Sequence, residues 1–241
     1  MPNRRLRFIP AAILAVILII SGAVYMYAND YYHADETAAE ACVSQDAVTV
    51  NYLSDGQYVF SPENPDAGLV FYPGGKVEYS AYAPLLQEFA KEGILCVVKE
   101  MPMNLAVLDT DAAADILMQF PEITDWYIGG HSLGGSMAAS YAADNADDFK
   151  GLVLLASYST ADLSDTDLNV FSVYGSEDGV LNMEKYEKYR DNLPENTHEL
   201  IIEGGNHAGF GSYGYQEGDG KATIEQEEQM KAAVEFFIEN K

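Results

Sequence analysis

The stretch Trp126–Ser136 has the sequence WYIGGHSLGGS, and it decides the fold class. Its first residues, Trp126–Gly129, predict a buried strand, and Ser136–Asn145 has the spacing of a helix. Between the two lies Gly130-His131-Ser132-Leu133-Gly134, which has the form G-x-S-x-G. Because this pattern joins a strand to a helix, it predicts a nucleophile elbow, a strained turn that exposes a serine at the end of a sheet.

Strand and helix signals alternate on both sides of this stretch. Further apolar runs predict strands at Gly68–Tyr72, Ile94–Val98, Leu152–Leu155, Leu168–Tyr174 and Glu199–Ile202. Apolar residues at helical spacing predict helices at Ala81–Glu92, Leu105–Phe120, Glu184–Asn192 and Thr223–Asn240. Ala47–Tyr52 and Gln57–Ser61 flank a Ser-Asp-Gly turn and predict an antiparallel hairpin. The predicted class is therefore α/β, a mostly parallel sheet with helices on both faces.

Ser132 needs a base, because a serine hydroxyl is a poor nucleophile on its own. In this type of elbow an acid follows the serine along the chain, and a histidine comes last. Only His198 and His207 follow Ser132. His198 begins a predicted strand, at the wrong end of the sheet, whereas His207 comes just after that strand, in the glycine-rich Gly204–Gly209. The sequence predicts Ser132 as nucleophile and His207 as general base.

The acid is expected where the preceding strand ends, in Gly175-Ser176-Glu177-Asp178-Gly179. We predict that Asp178 orients His207, with Glu177 as the alternative. The loop one strand earlier carries three aspartates that we interpret as surface residues: Asp162, Asp165 and Asp167. Tyr213–Gly220 is rich in glycine and acidic residues, and we interpret it as a mobile surface loop.

An oxyanion formed on the substrate needs two hydrogen-bond donors. We expect one to be the backbone N–H of Leu133, directly after the nucleophile and at the start of a helix. The other is expected from the loop after the Gly68–Tyr72 strand, where Gly74 and Gly75 allow a close approach of the backbone. Gly75 is the predicted donor, and Lys76 is the alternative.

These motifs resemble those of the α/β-hydrolase superfamily from about Val48 to the end of the chain. The resemblance is strongest to small bacterial hydrolases without a cap, of the esterase and dienelactone-hydrolase type, with serine as nucleophile. Five segments carry it: Tyr72–Val77, Lys99–Leu105, Gly130–Gly135, Tyr174–Gly179 and Gly205–Gly211. It implies an eight-stranded, mostly parallel sheet and esterase-like chemistry. Pro73 departs from the pattern, since many relatives have His-Gly at this loop.

The sequence leads to the hypothesis of a serine hydrolase that cleaves a carboxylic ester or a related acyl bond of a small molecule through an acyl-enzyme. Only about a dozen residues connect Leu155 to Leu168, so no large cap is expected over the site. Peptidase, thioesterase and lactonase activities fit the same triad. Dienelactone hydrolases use cysteine where Ser132 stands, which argues against that activity. A catalytically silent, membrane-tethered binding protein is the alternative from another class.

The net charge of −25 argues against nucleic acid as a partner, because an acidic surface repels phosphates. The four histidines stand near no cysteine cluster with metal-ligand spacing, so no metal and no cofactor are predicted.

The N-terminus predicts a membrane anchor. Arg4, Arg5 and Arg7 precede an uncharged stretch from Phe8 to Ala28, whose 21 residues span about 31 Å as a helix. Residues 1–28 are therefore predicted to be a single-pass signal-anchor in the cell membrane, residues 29–46 a linker, and residues 47–241 a hydrolase domain outside the cytoplasm. Secretion after cleavage of a signal peptide is the alternative.

Overall fold

The structure is a computed structural model that describes residues 9–45 and 47–241. The chain divides into two compact units, of which the first ends at Tyr31 and holds helix α1, Ile9–Asn29. The predicted signal-anchor falls partly on residues 1–8, which lie outside the described residues. In the described part of the chain, no helix combines the length and apolarity that crossing a membrane requires, so the predicted membrane tether is not supported there.

The second unit, Tyr32–Lys241, is built on one sheet of eight strands. The strands are β1 Val48–Leu53, β2 Gln57–Pro62, β3 Ala67–Tyr72, β4 Ile94–Lys99, β5 Trp126–His131, β6 Gly151–Leu155, β7 Asn169–Gly175 and β8 Thr197–Ile202. Their order is β1-β2-β4-β3-β5-β6-β7-β8. Strand β2 pairs antiparallel with β1 and with β4, and all the remaining pairs in the sheet are parallel. The predicted α/β class and the implied eight-stranded sheet are confirmed.

Helices cover both faces of this sheet. They are α2 Glu36–Ala41, α3 Ala83–Lys91, α4 Ala112–Gln119, α5 Leu133–Asp144, α6 Met183–Lys188 and α7 Gln226–Asn240. Strand β3 is buried along its whole length, because its side chains alternate between two faces that are both covered. Phe71 packs into the core that contains Phe89 of α3 and Phe237 of α7. Val70 packs into the opposite core, with residues of α4 and α5. Each large side chain buried in this way contributes about 1.5–3 kcal/mol.

The parallel strands end together at one edge of the sheet. Tyr72 lies beside Gly130, His131 beside Leu155, and Gly175 beside Ile202. The chain segments that leave β3, β5, β7 and β8 therefore meet at this edge, where ligands bind in open α/β sheets. The connection between β6 and β7 is short and forms no cap over it.

The helix predicted for Leu105–Phe120 forms only from Ala112 onward. Pro102–Asn104 and Ala106–Leu108 form 3₁₀ turns instead. Met103 and Asn104 have φ values of 56° and 55°, which an α-helix does not allow, and the carbonyl of Asn104 accepts a hydrogen bond from Lys76 N–H at 2.8 Å. This stretch thus bonds to the loop after β3 and does not extend helix α4.

The segment predicted as a linker differs from its prediction beyond Tyr31. Tyr32 bridges to Val77, and the carboxylate of Asp35 caps α2 through Ala38 N–H. Ala38 and Ala41 of that helix are buried within the second unit, and Gln87 donates a hydrogen bond to the Ala41 carbonyl. Tyr32–Ala41 is therefore part of the compact unit. Its small alanine side chains pack closely, although the stretch contains few large apolar residues.

Candidate active site

Ser132 stands in a strained turn between β5 and α5. Its φ of 52° and ψ of −122° lie outside the regions that residues with a side chain normally occupy. The turn is tight, because a Cβ atom on Gly130 would lie 2.6 Å from the Tyr72 carbonyl oxygen. The backbone N–H of Ser132 donates to the Leu155 carbonyl at 2.9 Å and ties the turn to β6. The residues form the geometry of a nucleophile elbow.

His207 and Asp178 form a buried hydrogen-bonded pair. The distance from His207 Nδ1 to Asp178 Oδ2 is 2.9 Å, and the two side chains are 1% and 2% exposed. Asp178 Oδ1 accepts hydrogen bonds from the N–H groups of Val180 and Leu181 at 2.8 and 2.7 Å. Glu177, the alternative acid, is exposed to solvent and does not contact the imidazole. The N–H groups of its own turn thus hold one oxygen of the Asp178 carboxylate, and its other oxygen faces His207.

The other histidine considered as a base, His198, lies in β8 and stacks on Phe171 with ring centroids 5.9 Å apart. His198 is near the amino end of β8, at the edge of the sheet opposite the carboxyl ends where the site lies. Asp162, from the acidic loop that we interpreted as surface, is exposed and accepts two hydrogen bonds from Ser164.

Ser132 and His207 line one pocket of about 230 Å³. His207 Nε2 is buried and has no hydrogen-bond partner among the described residues. Ser132 Oγ makes no hydrogen bond to it in this state, and such contacts commonly tighten when a substrate binds. This nitrogen is therefore available to take a proton on the side of the pocket. The remaining pocket residues are Leu133, Ser136, Ala156, Ser157, Tyr158, Val180, Leu181 and Asn182.

The segments that carry the two predicted oxyanion donors are in contact. A Cβ atom on Gly75 would lie 2.9 Å from Leu133 Cδ2, so the loop after β3 touches the start of α5. The N–H of Gly75 donates to no described residue. Leu133 opens α5, and the first N–H groups of a helix have no acceptor within it. The N–H of Lys76, the alternative donor, is already bound to the Asn104 carbonyl, which leaves Gly75 as the better placed donor.

A buried relay that the sequence did not predict connects these loops. The Tyr82 hydroxyl accepts a hydrogen bond from Gly74 N–H at 2.9 Å and lies 2.9 Å from His131 Nδ1. His131 Nε2 lies 3.1 Å from the His207 carbonyl oxygen. Because a carbonyl only accepts, Nε2 carries the proton, and Nδ1 accepts from the tyrosine. Burial, together with the neighbouring His207, holds the pKa of His131 well below its usual range, so this side chain stays neutral.

The neutral His131 makes stability depend on pH. An unfolded histidine gains a proton below a pKa of about 6.5, so unfolding takes up a proton at lower pH, and stability falls as the pH falls. Between pH 7.5 and 5.5 this one residue is expected to cost about 1.4 kcal/mol of unfolding free energy. Urea unfolding at both pH values tests this. In His131→Gln, whose amide can replace both hydrogen bonds, the pH-dependent loss should shrink by that amount. Equal losses in both proteins would contradict the expectation.

Asp219 is a second feature that the sequence did not predict. It lies in the loop interpreted as mobile, yet its carboxylate accepts hydrogen bonds from backbone N–H groups of both Gly179 and His207. No local sequence signal marks it, because its partners lie 40 and 12 residues away. The relay could have been suspected from the sequence, since His131 directly precedes Ser132 in the elbow motif.

The family and the fold of the chain are known from comparison. A model of the alpha/beta hydrolase family matches residues 68–231. A search of curated proteins finds no match. Among solved structures, the "predicted CIB-like hydrolase" of Thermoplasma acidophilum is 15% identical over 80% of this chain and 99% of its own, with a TM-score of 0.60.

Two further solved structures have similar folds. TT1662 of Thermus thermophilus is 15% identical, covering 80% of this chain and 97% of its own, with a TM-score of 0.56. A dienelactone hydrolase-like protein of Klebsiella pneumoniae subsp. pneumoniae is 14% identical, covering 81% and 98%, with a TM-score of 0.60. At these identities the similarity demonstrates the fold alone.

Proposed function

Because the chain belongs to the alpha/beta hydrolase family, we propose that it is a serine hydrolase acting on a carboxylic ester or related acyl bond. The observation that carries this proposal is the buried His207–Asp178 pair. Its free Nε2 lies at the pocket that Ser132 also lines. A base that is oriented on one side and unpaired on the other is what activation of a serine hydroxyl needs.

In the proposed mechanism, His207 Nε2 takes the proton of Ser132 as Oγ attacks the acyl carbon. The N–H groups of Leu133 and Gly75 stabilise the oxyanion. Asp178 keeps the proton of the neutral imidazole on Nδ1 and stabilises the imidazolium. His207 then protonates the leaving alcohol, and a water molecule activated by the same nitrogen hydrolyses the acyl-enzyme.

Peptidase, thioesterase and lactonase activities use the same triad. The proposal therefore covers amide, thioester and lactone bonds as alternatives to the ester. The silent binding protein is less consistent with the geometry. The strained backbone of Ser132 reduces stability, and a protein without catalysis would gain nothing from that strain.

A fluorophosphonate probe tests the proposal directly. The full chain is treated with the probe, and the adduct is located by mass spectrometry. We expect a single modification on Ser132, lost in His207→Ala and retained in His198→Ala, a matched histidine outside the site. No modification of a folded protein, or modification of another residue, would contradict the proposed site.

The surroundings of the pocket favour substrates with one aromatic ring. A cavity of about 170 Å³ shares Ser157 and Tyr158 with the pocket around Ser132. The rings of Tyr158 and Tyr189 lie nearly parallel at its wall, with centroids 5.8 Å apart and planes at 12°. An apolar protein cavity of about 150 Å³ is large enough to bind benzene. The cavity here has a similar volume, although polar and charged side chains, Arg190 and Glu199 among them, form part of its lining. We therefore extend the proposal to small esters whose ring lies between the pocket and this cavity.

Benzyl acetate is expected to have a kcat/KM about 2- to 10-fold higher than cyclohexylmethyl acetate, because aromatic pairs add about 0.5–1.5 kcal/mol to the burial of the ring. Alcohol release measures both rates without an aromatic reporter. Leu193→Trp fills the cavity and should remove the preference, whereas Met118→Trp, on the exposed side of α4, should keep it. Methyl phenylacetate, compared with methyl cyclohexylacetate, tests the acyl side. Equal rates in both pairs would exclude the aromatic subsite.

A further inference from the structure

The loop Tyr213–Gly220 is packed against the turn that carries Asp178. A Cβ atom on Gly179 would lie 2.5 Å from the Gly218 carbonyl oxygen and 2.8 Å from the Gly220 nitrogen. On its other side, the loop accepts a hydrogen bond from Asn206 Nδ2 through the Gly220 carbonyl at 2.9 Å. It therefore lies between the turn of the acid and the loop of the base, and the interpretation as a mobile surface loop is not consistent with these contacts.

The carboxylate of Asp219 joins these two segments. Oδ1 accepts hydrogen bonds from Gly179 N–H and His207 N–H, both at 3.1 Å, and from Gly220 N–H at 2.8 Å. Oδ2 accepts from Ala208 N–H at 2.8 Å. Gly179 directly follows Asp178 in the chain. One side chain thus fixes the backbone of the base and the backbone beside the acid, and hydrogen bonds to a charged acceptor are roughly twice as strong as neutral ones.

From this geometry we propose that Asp219 is a positioning residue, which sets His207 relative to Asp178 and so keeps the imidazole aligned with Ser132. The inference rests on the proposed function, because alignment matters only if the pair acts on the serine. Asp219 contacts neither Ser132 nor the imidazole nitrogens through any described hydrogen bond, so its effect passes through the backbone of His207.

Each of the two loops also makes contacts that do not involve Asp219. Gln229 accepts from Asn206 N–H and donates to the Asn206 carbonyl, at 2.9 and 2.7 Å. His131 bonds the His207 carbonyl, and Asp178 is held by the N–H groups of its own turn. Removal of Asp219 therefore loosens the relative placement of the two segments without removing either one's own support.

Two variants separate alignment from folding. Asp219→Ala loses all four hydrogen bonds, whereas Asp219→Asn keeps the size of the side chain and one oxygen that accepts. A misplacement of about 1 Å costs about 10²-fold in rate. We expect kcat to fall by about 10- to 100-fold in Asp219→Ala with KM changed less than about threefold, and to fall by less than about fivefold in Asp219→Asn. Asp162→Ala, an exposed aspartate that also accepts a backbone N–H, is the control and should match the wild type.

The measurements are steady-state kinetics on an acetate ester, thermal unfolding, and the ¹H NMR resonance of His207 Nδ1–H. That resonance should be sharp in the wild type and in Asp219→Asn, and broadened or lost in folded Asp219→Ala. A folded Asp219→Ala with wild-type kcat and an unchanged resonance would overturn the proposal, whether or not its melting temperature is lowered. If the wild type neither hydrolyses esters nor reacts with the probe, the proposed function fails. A resonance lost in Asp219→Ala would still support the positioning role.

Discussion

Replacement of Ser132 by alanine is expected to lower kcat for ester hydrolysis by roughly 10⁴- to 10⁶-fold, the range found when the nucleophile of a serine triad is removed. The reason is local. The elbow holds the Ser132 hydroxyl at the strand end, at the pocket that His207 also lines. The loss of one hydroxyl there should leave the fold intact, because the backbone N–H of Ser132, not its side chain, bonds to β6. Steady-state kinetics and thermal unfolding of both proteins test this.

Ser136 provides a matched control in the same pocket. Its hydroxyl donates to the Tyr158 carbonyl at 2.7 Å and is therefore committed to the protein. Ser136→Ala is expected to keep kcat within about tenfold, since it loses only neutral hydrogen bonds, to the Tyr158 carbonyl and the Ser157 hydroxyl, of about 1 kcal/mol each. Wild-type activity in Ser132→Ala, or inactivity in Ser136→Ala alone, would show that another group is the nucleophile.

The fold was largely predictable because burial on both faces leaves a strong sequence signal. Strand Ile94–Lys99 is apolar from Ile94 to Val98, and the hairpin before it alternates around a turn. Predictions were weaker where long-range contacts override local preference. Leu105–Phe120 has helical spacing, yet the Asn104 carbonyl is bonded to Lys76 N–H, and the backbone around it forms the 3₁₀ turns Pro102–Asn104 and Ala106–Leu108. The helix consequently begins only at Ala112.

The candidate site divides in the same way. Ser132, Asp178 and His207 follow from chain order and from the positions of strand ends, and the structure brings the last two within hydrogen-bond distance. Asp219 does not follow from either, because a glycine-rich acidic stretch has the composition of a solvated loop. Its role depends on N–H groups that only the folded chain brings together. A charged residue inside such a loop is therefore worth testing against the backbone donors around it.

Asp178→Asn is the second variant for which a large effect is expected, a loss of about 10⁴-fold in kcat, as found for the equivalent change in a serine protease. The argument depends on which atoms face the carboxylate. Val180 N–H and Leu181 N–H both donate to Oδ1, so the oxygen of an asparagine must take that side. Its NH₂ group then faces His207 Nδ1 and requires that nitrogen to accept. The imidazole proton moves to Nε2, where a base needs a lone pair.

Glu177→Gln tests whether this effect comes from the one carboxylate or from negative charge in the turn. Glu177 is adjacent and exposed, so its variant removes the same charge and should keep kcat within about fivefold, because exposed charges contribute about 0–1 kcal/mol. Rates are measured on the same acetate ester, and ¹⁵N NMR assigns the protonated nitrogen of His207. A folded Asp178→Asn protein with Nδ1 still protonated and normal kcat would exclude Asp178 as the orienting acid. Loss of activity in Glu177→Gln instead would move that role to the neighbouring residue.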